Sequence, residues 1–451
     1  MFAYIGGLLY RYNQGLFSGV LTMTSFNQHM GVYTSDQTRK GWLTSILELG
    51  AWTGTLYSGL LVEVISRKYV IIVNTGIFII GVIIQCTAVA SAGHSAILGG
   101  RFIVGMAVGS LSMVVPMYVA ECSPPGCRGL LVGLQQFAID FSILVSFWID
   151  YGCNYIGRTG KSQSDAAWLV PLALQLAPAL ILIVGMIFMP FSPRWLIHHG
   201  HEEYARKTLV MLRGIPADSE IIELEFLEIK AQSMFEKRTV KHHFPHLSEM
   251  TRWNLIKLQF VAIGSLFKTM PMFKPVLVST VTMFFQQWTG INAVLYSAPQ
   301  IFDALGTSSN TTSSLATGDV GIVMFLATIP AILYIDRLGR KPVLALGAIA
   351  MGMCHITIAI IFAKNENQWP THKGASWAAL ASLWLFVAHF GWSWGPCAWI
   401  IVAEVWLLSA RLYGIALGAS SNWMNNFIVG QVTPDVTSFE RQSIREIQVS
   451  K

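Results

Sequence analysis

The sequence predicts an all-α polytopic membrane protein made of two related helical bundles. Three observations predict it. The 451 residues are 53% hydrophobic and only 12% charged, about half the charge of an ordinary soluble chain. Apolar runs of about 20 residues recur, each long enough to cross a bilayer as a helix, with no alternating or heptad pattern to suggest strands or a coiled coil. Finally, the two halves echo each other: GLLVEVISRKYV at 59–70 matches ILYIDRLGRKPV at 332–343.

Taken in order, spans fall near 2–22, 42–62, 69–91, 97–119, 129–151, 167–189, 275–298, 316–335, 342–362, 375–401 and 412–432. The organisation is then an N-terminal bundle over 1–190, a hydrophilic helical loop over 191–274, and a C-terminal bundle over 275–451 whose tail turns atypical from about 436. Met1 opens directly into the first run, so no cleavable leader is expected. Basic residues concentrate in alternate connections, which places the N-terminus and the long loop inside. The net charge of +6 therefore reports topology, and the expected partners are the lipid bilayer and a small molecule, with no nucleic acid. The six cysteines are scattered without CxxC spacing, so neither a metal site nor a disulfide framework is implied. GMAVG at 105–109 lies mid-span and reads as helix packing, not as a nucleotide loop. No nucleophile–base set, metal cluster or phosphate loop is present in the pattern, so neither an enzyme nor a bound cofactor is expected.

The stretch QQWTGINAVLY at 286–296 interrupts an apolar run with glutamines, a threonine, a glycine and an asparagine. Such polarity in hydrocarbon is costly unless it lines a wet cavity or is paired. Amides both donate and accept, which suits a ligand made of hydroxyls; Gly290 permits a bend or a close approach. The plainer reading is a helix contact joined by amides. A second echo repeats an acid seven residues before an arginine: Glu121 with Arg128, and Glu404 with Arg411.

These motifs, in this order, resemble the sugar porters of the major facilitator superfamily, and the fungal monosaccharide transporters in particular. GGLLYRYNQGLFSG at 6–19, GRFIVGMAVG at 100–109, PMYVAECSPPGCRG at 116–129, SPRWL at 192–196, QQWTGINAVLY at 286–296, DRLGRK at 336–341 and SNWMNNF at 421–427 carry the resemblance, which runs from Gly6 to about Asp435. It implies the major facilitator fold, two six-helix bundles with substrate bound between them at the midplane. It also implies transport of a hexose-like monosaccharide by alternating access, in a multi-pass, plasma-membrane, monomeric protein. The implied sugar contacts are Gln136, Gln286, Gln287, Asn292, Trp399, Asn422 and Trp423. Amides satisfy the hydroxyl edge of a pyranose and an indole covers its face. Arg67, Lys68, Glu121, Arg128, Asp336, Arg340, Lys341, Glu404 and Arg411 are expected to form a cytoplasmic latch pairing across the two bundles, or else local pairs at helix ends.

Four departures from the family pattern bear on function. Asn13 stands where proton-coupled members carry an aspartate facing the arginine matched by Arg101, which favours uniport over proton symport. Asp140, one turn beyond Gln136 and about a dozen residues into its span, is near the midplane at ~1.5 Å per residue and is the remaining coupling candidate. The alternative role for Asp140 and Glu48 is to neutralise Arg11 and Arg101. Met324 replaces a polar residue in span eight, and Phe191 replaces the acid of PESPR. After Asp435 no twelfth apolar run and no closing PETKG follow, so the second bundle is expected to lack its twelfth helix and the C-terminus to lie outside. Asn310, in the sequon Asn310-Thr311-Thr312, is a candidate glycosylation site in an outer connection. The rival functions are a non-transporting sugar sensor and an inactive, truncated transporter.

Overall fold

The computed structural model describes residues 5–89, 93–124, 128–157, 160, 162–243, 252–296, 310–365, 372–406 and 410–449. No strand occurs among them, and the eleven expected spans are all present as helices. Spans one to five are Ile5–Val20, Gln37–Ile65, Arg67–Cys86, Gly93–Cys122 and Arg128–Cys153. Span six is broken at Gln175 into Ala166–Leu174 and Leu176–Phe188. Span seven is Met270–Trp288, resuming as helix over 291–296. Spans eight and nine are Asn310–Leu338 and Arg340–Asn365; span ten is broken at Ser393 into Lys373–Trp392 and Trp394–Glu404. The eleventh, expected to end near 432, continues as one helix over Arg411–Val449.

Local chemistry sets several of these boundaries. Asp36 caps span two, its carboxylate accepting from the amides of Thr38 and Arg39 at 3.0 and 3.3 Å, where an acid also suits the helix dipole. Spans two and three meet at Ser66, whose φ of 105° is the only positive value at a non-glycine among the described residues. The repeat places Gly339, with φ 80°, at the matching corner between spans eight and nine. Spans two and four touch backbone to backbone: a Cβ on Gly105 would lie 2.1 Å from the Leu47 carbonyl oxygen, and one on Gly109 1.9 Å from that of Ala51. The GMAVG run is therefore a small-residue packing seam.

Among the described residues, six helices are long and apolar enough to cross a membrane, and the pair Lys257–Ser265 and Met270–Tyr296, bent by 94°, counts as a seventh if taken as one span. The other rods dilute their apolarity with polar groups turned inward. Asn13 and Gln14 in span one, Ser45 and Glu48 in span two, Asp140 and Asp150 in span five, and Asn422 and Asn426 in span eleven are all buried. That pattern belongs to a bundle that encloses a polar centre rather than a greasy core.

The two halves meet along two seams, span two against span eleven and span five against span eight. One apolar cluster crosses the second seam, joining Ile143 and Phe147 to Val320, Met324 and Phe390. In the N-terminal half, span six packs on spans one and three. The matching faces of spans seven and nine stay open among the described residues, with Phe285, Trp288, Ile349 and Ile356 each more than half exposed.

The central loop folds into helices Pro193–His198, Glu202–Arg213, Glu220–His243 and Arg252–Ser265. Arg213 pairs with Glu225 at 2.5 Å and donates to the Cys122 carbonyl at 2.9 Å, which ties the loop to the inner end of span four.

Candidate functional site

The polar stretch of span seven bends where its sequence permits it. Helix Met270–Trp288 stops, Gly290 takes φ +89°, and the helix resumes at Ile291. The bend that Gly290 permits is present: a glycine in the left-handed region breaks the i to i−4 ladder, and the two pieces aim separately. Gln286 and Gln287 precede the break, Asn292 follows it, and all three are buried. Asn292 hydrogen-bonds Gln287 across the bend.

Gln286 and Asn292 are also held by groups from other spans. Gln286 donates to the Trp394 and Gly395 carbonyls at 2.9 and 3.2 Å and accepts from Asn422 at 2.7 Å. Those carbonyls lie in the first turn of Trp394–Glu404, where that helix packs on span seven. From the N-terminal half, Gln136 points at the same break: its Nε2 would lie 3.8 Å from a Cβ on Gly395. It also donates to both Asp140 oxygens, at 3.1 and 3.2 Å. Thr328 of span eight donates to Asp140 Oδ2 at 2.6 Å. Arg11 of span one donates to Gln14 at 2.6 Å and reaches Asn292 at 3.5 Å. Six amides, one carboxylate and one guanidinium from both halves are thus gathered in one buried centre, which can pair with a ring of hydroxyls.

The two expected indoles separate. Trp399 is half-buried against Met283 and Val402 near Asn422. Trp423 is fully buried and donates to Ser112 of span four at 3.4 Å, so it packs into the core of the N-terminal half. Trp392 lines an apolar cleft of about 340 Å³ with Tyr334 and Leu338, whereas Trp394 donates to the Leu344 carbonyl at 3.0 Å.

The coupling candidates form a second cluster within the N-terminal half. Arg101 donates to Asn13 at 3.3 Å and to the Thr44 carbonyl at 3.1 Å, and it stacks 3.7 Å from the Phe17 ring centroid. Asn13 in turn donates to Gln175 at 2.5 Å, at the break in span six. No carboxylate pairs directly with Arg101 among the described residues. Asp140 accepts from Gln136 and Thr328, and Glu48 from Tyr296; the expected neutralising role stands beside these bonds, since Asp140 lies within electrostatic reach of Arg11 and Glu48 of Arg101.

Toward the end of the bundles away from the central loop, the halves are fastened by a hub that the sequence reading missed. Tyr296 of span seven donates to Glu48 of span two at 2.7 Å and reaches Asn426 of span eleven at 3.1 Å; Gln14 adds a 3.0 Å bond to the same hydroxyl. Farther out, Ser45 donates to Gln431 at 3.0 Å, and Gln431 donates to the Thr38 carbonyl at 3.3 Å. The signal was present as polar residues inside spans two and eleven, but only the packing brings them to one point.

Among the described residues the latch expectation takes its local form, pairs at helix ends. Arg67 pairs with Glu121 at 3.1 Å and Arg340 with Glu404 at 2.8 Å, each within its own half. Spans three and four are neighbours in one bundle, as are nine and ten, so the first residue of one helix meets the last acid of the next. Lys68 donates to the Ile187 carbonyl at 2.9 Å and lies 5.0 Å from the Phe191 ring, so a cation–π contact replaces the missing acid there. Lys341 is exposed and Arg411 half-buried at the starts of spans nine and eleven. The side chains of Arg128, Asp336 and Asn310 lie outside the described residues.

Comparison with known proteins fits this architecture. The Sugar (and other) transporter family matches residues 1–442. The chain is 30% identical to a probable quinate permease of Aspergillus fumigatus over 433 residues, covering 94% of this chain and 76% of that one. It is 32% identical to a quinate permease of Neurospora terricola over 406 residues, covering 87% and 71%. It is 29% identical to the major facilitator-type transporter ecdD of Aspergillus rugulosus, covering 97% and 78%. Among solved structures, the proton:xylose symporter XylE bound to 6-bromo-6-deoxy-D-glucose superposes with a TM-score of 0.78 at 24% identity, covering 97% of this chain and 88% of that one. A partially occluded inward-open form of XylE from E. coli gives 0.74, covering 96% and 91%. At that identity the likeness bears on the fold alone.

Proposed function

The chain belongs to the sugar transporter family of the major facilitator superfamily, a multi-pass membrane transporter and not an enzyme, and from that premise we propose facilitated transport of a hexose-like monosaccharide by alternating access. Transport of a sugar or related substrate follows from the family; the hexose and the uniport are the finer reading. The observation that carries it is the buried ring of Gln136, Gln286, Gln287, Asn292 and Asn422, drawn from both halves and made of groups that donate and accept. The outer hub around Tyr296 joins the halves on one side of that ring. Alternating access requires such contacts to break when the outside opens.

Uniport is supported by the surroundings of Arg101. The side chain bonded to it, Asn13, and Gln175 behind Asn13 are amides, which take up no proton near neutral pH; Glu48, the carboxylate that acts on Arg101 through space, is engaged by Tyr296 and Gln14.

A second substrate reading has its own observation. Arg11 is buried and lies beside Asn292, where a guanidinium suits a carboxylate; two relatives are named as quinate permeases. A hydroxylated ring acid would use the same amides and place its carboxylate toward span one. The test is uptake of a labelled panel of hexoses, pentoses and quinate in a yeast lacking its own hexose transporters. Saturable hexose uptake supports the first reading, and uptake of the acid alone supports the second. Surface-expressed protein that moves none of them contradicts transport and leaves a sensing role.

A further inference from the structure

Asp140 is fully buried on span five of the N-terminal half, and one of its two hydrogen-bonding partners, Thr328, is on span eight of the other half. The Thr328 hydroxyl has a single proton and three acceptors in reach. These are Asp140 Oδ2 at 2.6 Å, the Met324 carbonyl at 3.0 Å and the Gly391 carbonyl at 3.4 Å. It can therefore let go of Asp140 and still be satisfied within its own half. Asp140 has no such fallback: Gln136 supplies its other bonds, and a carboxylate has about four lone-pair positions to fill. A buried anion left short of donors is costly, so whatever displaces Thr328 has to donate.

We propose that Asp140 is a specificity-determining substrate residue, accepting hydrogen bonds from adjacent ring hydroxyls that displace Thr328. The proposal rests on the reading above that the cargo is a hydroxylated ring. Hydroxyl donors to a carboxylate make stronger bonds than hydroxyl donors to an amide, so Asp140 sets which ring positions must bear a hydroxyl. The displacement has a second effect. The Thr328–Asp140 bond ties span five to span eight; with cargo bound, that tie is exchanged for a contact carried by the cargo. The charged group nearest this corner from another element is Arg11 of span one, which is itself bonded to Gln14 and reaches Asn292.

The test is competition by a series of singly deoxygenated analogues against the best transported ring, for the full-length wild type, Asp140→Asn and Thr328→Val in proteoliposomes. In the wild type, removing one or two particular hydroxyls is expected to weaken competition about tenfold or more. Asp140→Asn is expected to flatten that penalty at those positions alone. Thr328→Val removes the competitor for Asp140, so it is expected to lower the KM and keep the wild-type profile, a readout that does not depend on Asp140→Asn folding. A deoxy profile unchanged in Asp140→Asn, or a KM raised in Thr328→Val, overturns the proposal and makes the pair structural. Gradient-driven accumulation that vanishes in Asp140→Asn would also overturn it, assigning the carboxylate to a proton instead. A wild type that carries no hydroxylated ring removes the transport reading itself, a pattern distinct from the others.

Discussion

Asn13 of span one and Gln175 of span six are joined by a 2.5 Å hydrogen bond, with the Arg101 guanidinium 3.3 Å from the Asn13 carbonyl oxygen. An arginine in the middle of a bundle is thus solvated by an amide, a backbone carbonyl and the face of Phe17. Replacing Asn13 with aspartate puts an ionisable group against that cation. We expect Asn13→Asp to make initial uptake rates depend on pH between acid and neutral, where the wild type is flat. A wild-type profile already as steep as that of the variant would show that protons act elsewhere.

The binding residues of span seven make a second prediction. Gln287→Ala and Asn292→Ala each leave a partner of the closed ring unpaired, at a cost of about 1–3 kcal/mol, or up to about a hundredfold in apparent affinity. Surface expression should be unchanged, since both residues bond mainly each other and the centre. Near-normal uptake kinetics for both variants would remove the site from span seven.

The outer hub predicts a conformational effect. Tyr296→Phe deletes the hydroxyl that links Glu48 to Asn426, and Glu48→Gln removes the charge from the same contact. Hydrogen bonds to charged groups contribute about 1.5–3 kcal/mol, enough to move a two-state balance about tenfold or more. A cysteine placed at Ser45 should react faster with an impermeant thiol reagent from outside in either variant. Unaltered labelling would show that the seam of spans two and eleven closes the outside without Tyr296.

The corner at Ser66 predicts a stabilising change. Its φ of 105° and ψ of 148° fall in a region that suits glycine, and its hydroxyl is buried without a hydrogen-bond partner among the described residues. Strain of this kind costs about 1–3 kcal/mol, and the repeat already uses Gly339 at the matching corner. Ser66→Gly should raise the unfolding temperature in detergent and leave the KM alone. A lowered temperature would mean that the hydroxyl has a role the geometry does not reveal.

Much of this was legible in the sequence because it depends on local pattern. The echo of SRK and GRK located equivalent corners, and the polar interruption in span seven located the amides. The GMAVG run marked the seam between spans two and four. What escaped depends on tertiary placement. Gln175 and Thr328 each look like a stray polar residue in an apolar run, and only the packing sets Gln175 beside Asn13 and Thr328 beside Asp140. The carbonyls of Trp394 and Gly395 become ligands for Gln286 only because the second piece of span ten packs on span seven. No residue type signals which backbone carbonyl a neighbouring side chain will reach. Trp423 was misplaced for a related reason, since an indole beside Asn422 can face either the centre or span four, and helical spacing does not decide between them.

The account's central claim is that this protein moves a hydroxylated ring through a centre that exchanges no proton. The measurement that tests it most directly is uptake of the best labelled substrate into proteoliposomes, with and without an inwardly directed pH gradient. The account predicts the same saturable entry in both cases, stopping when inside and outside concentrations are equal. Accumulation above that point, present only with the gradient, would contradict it.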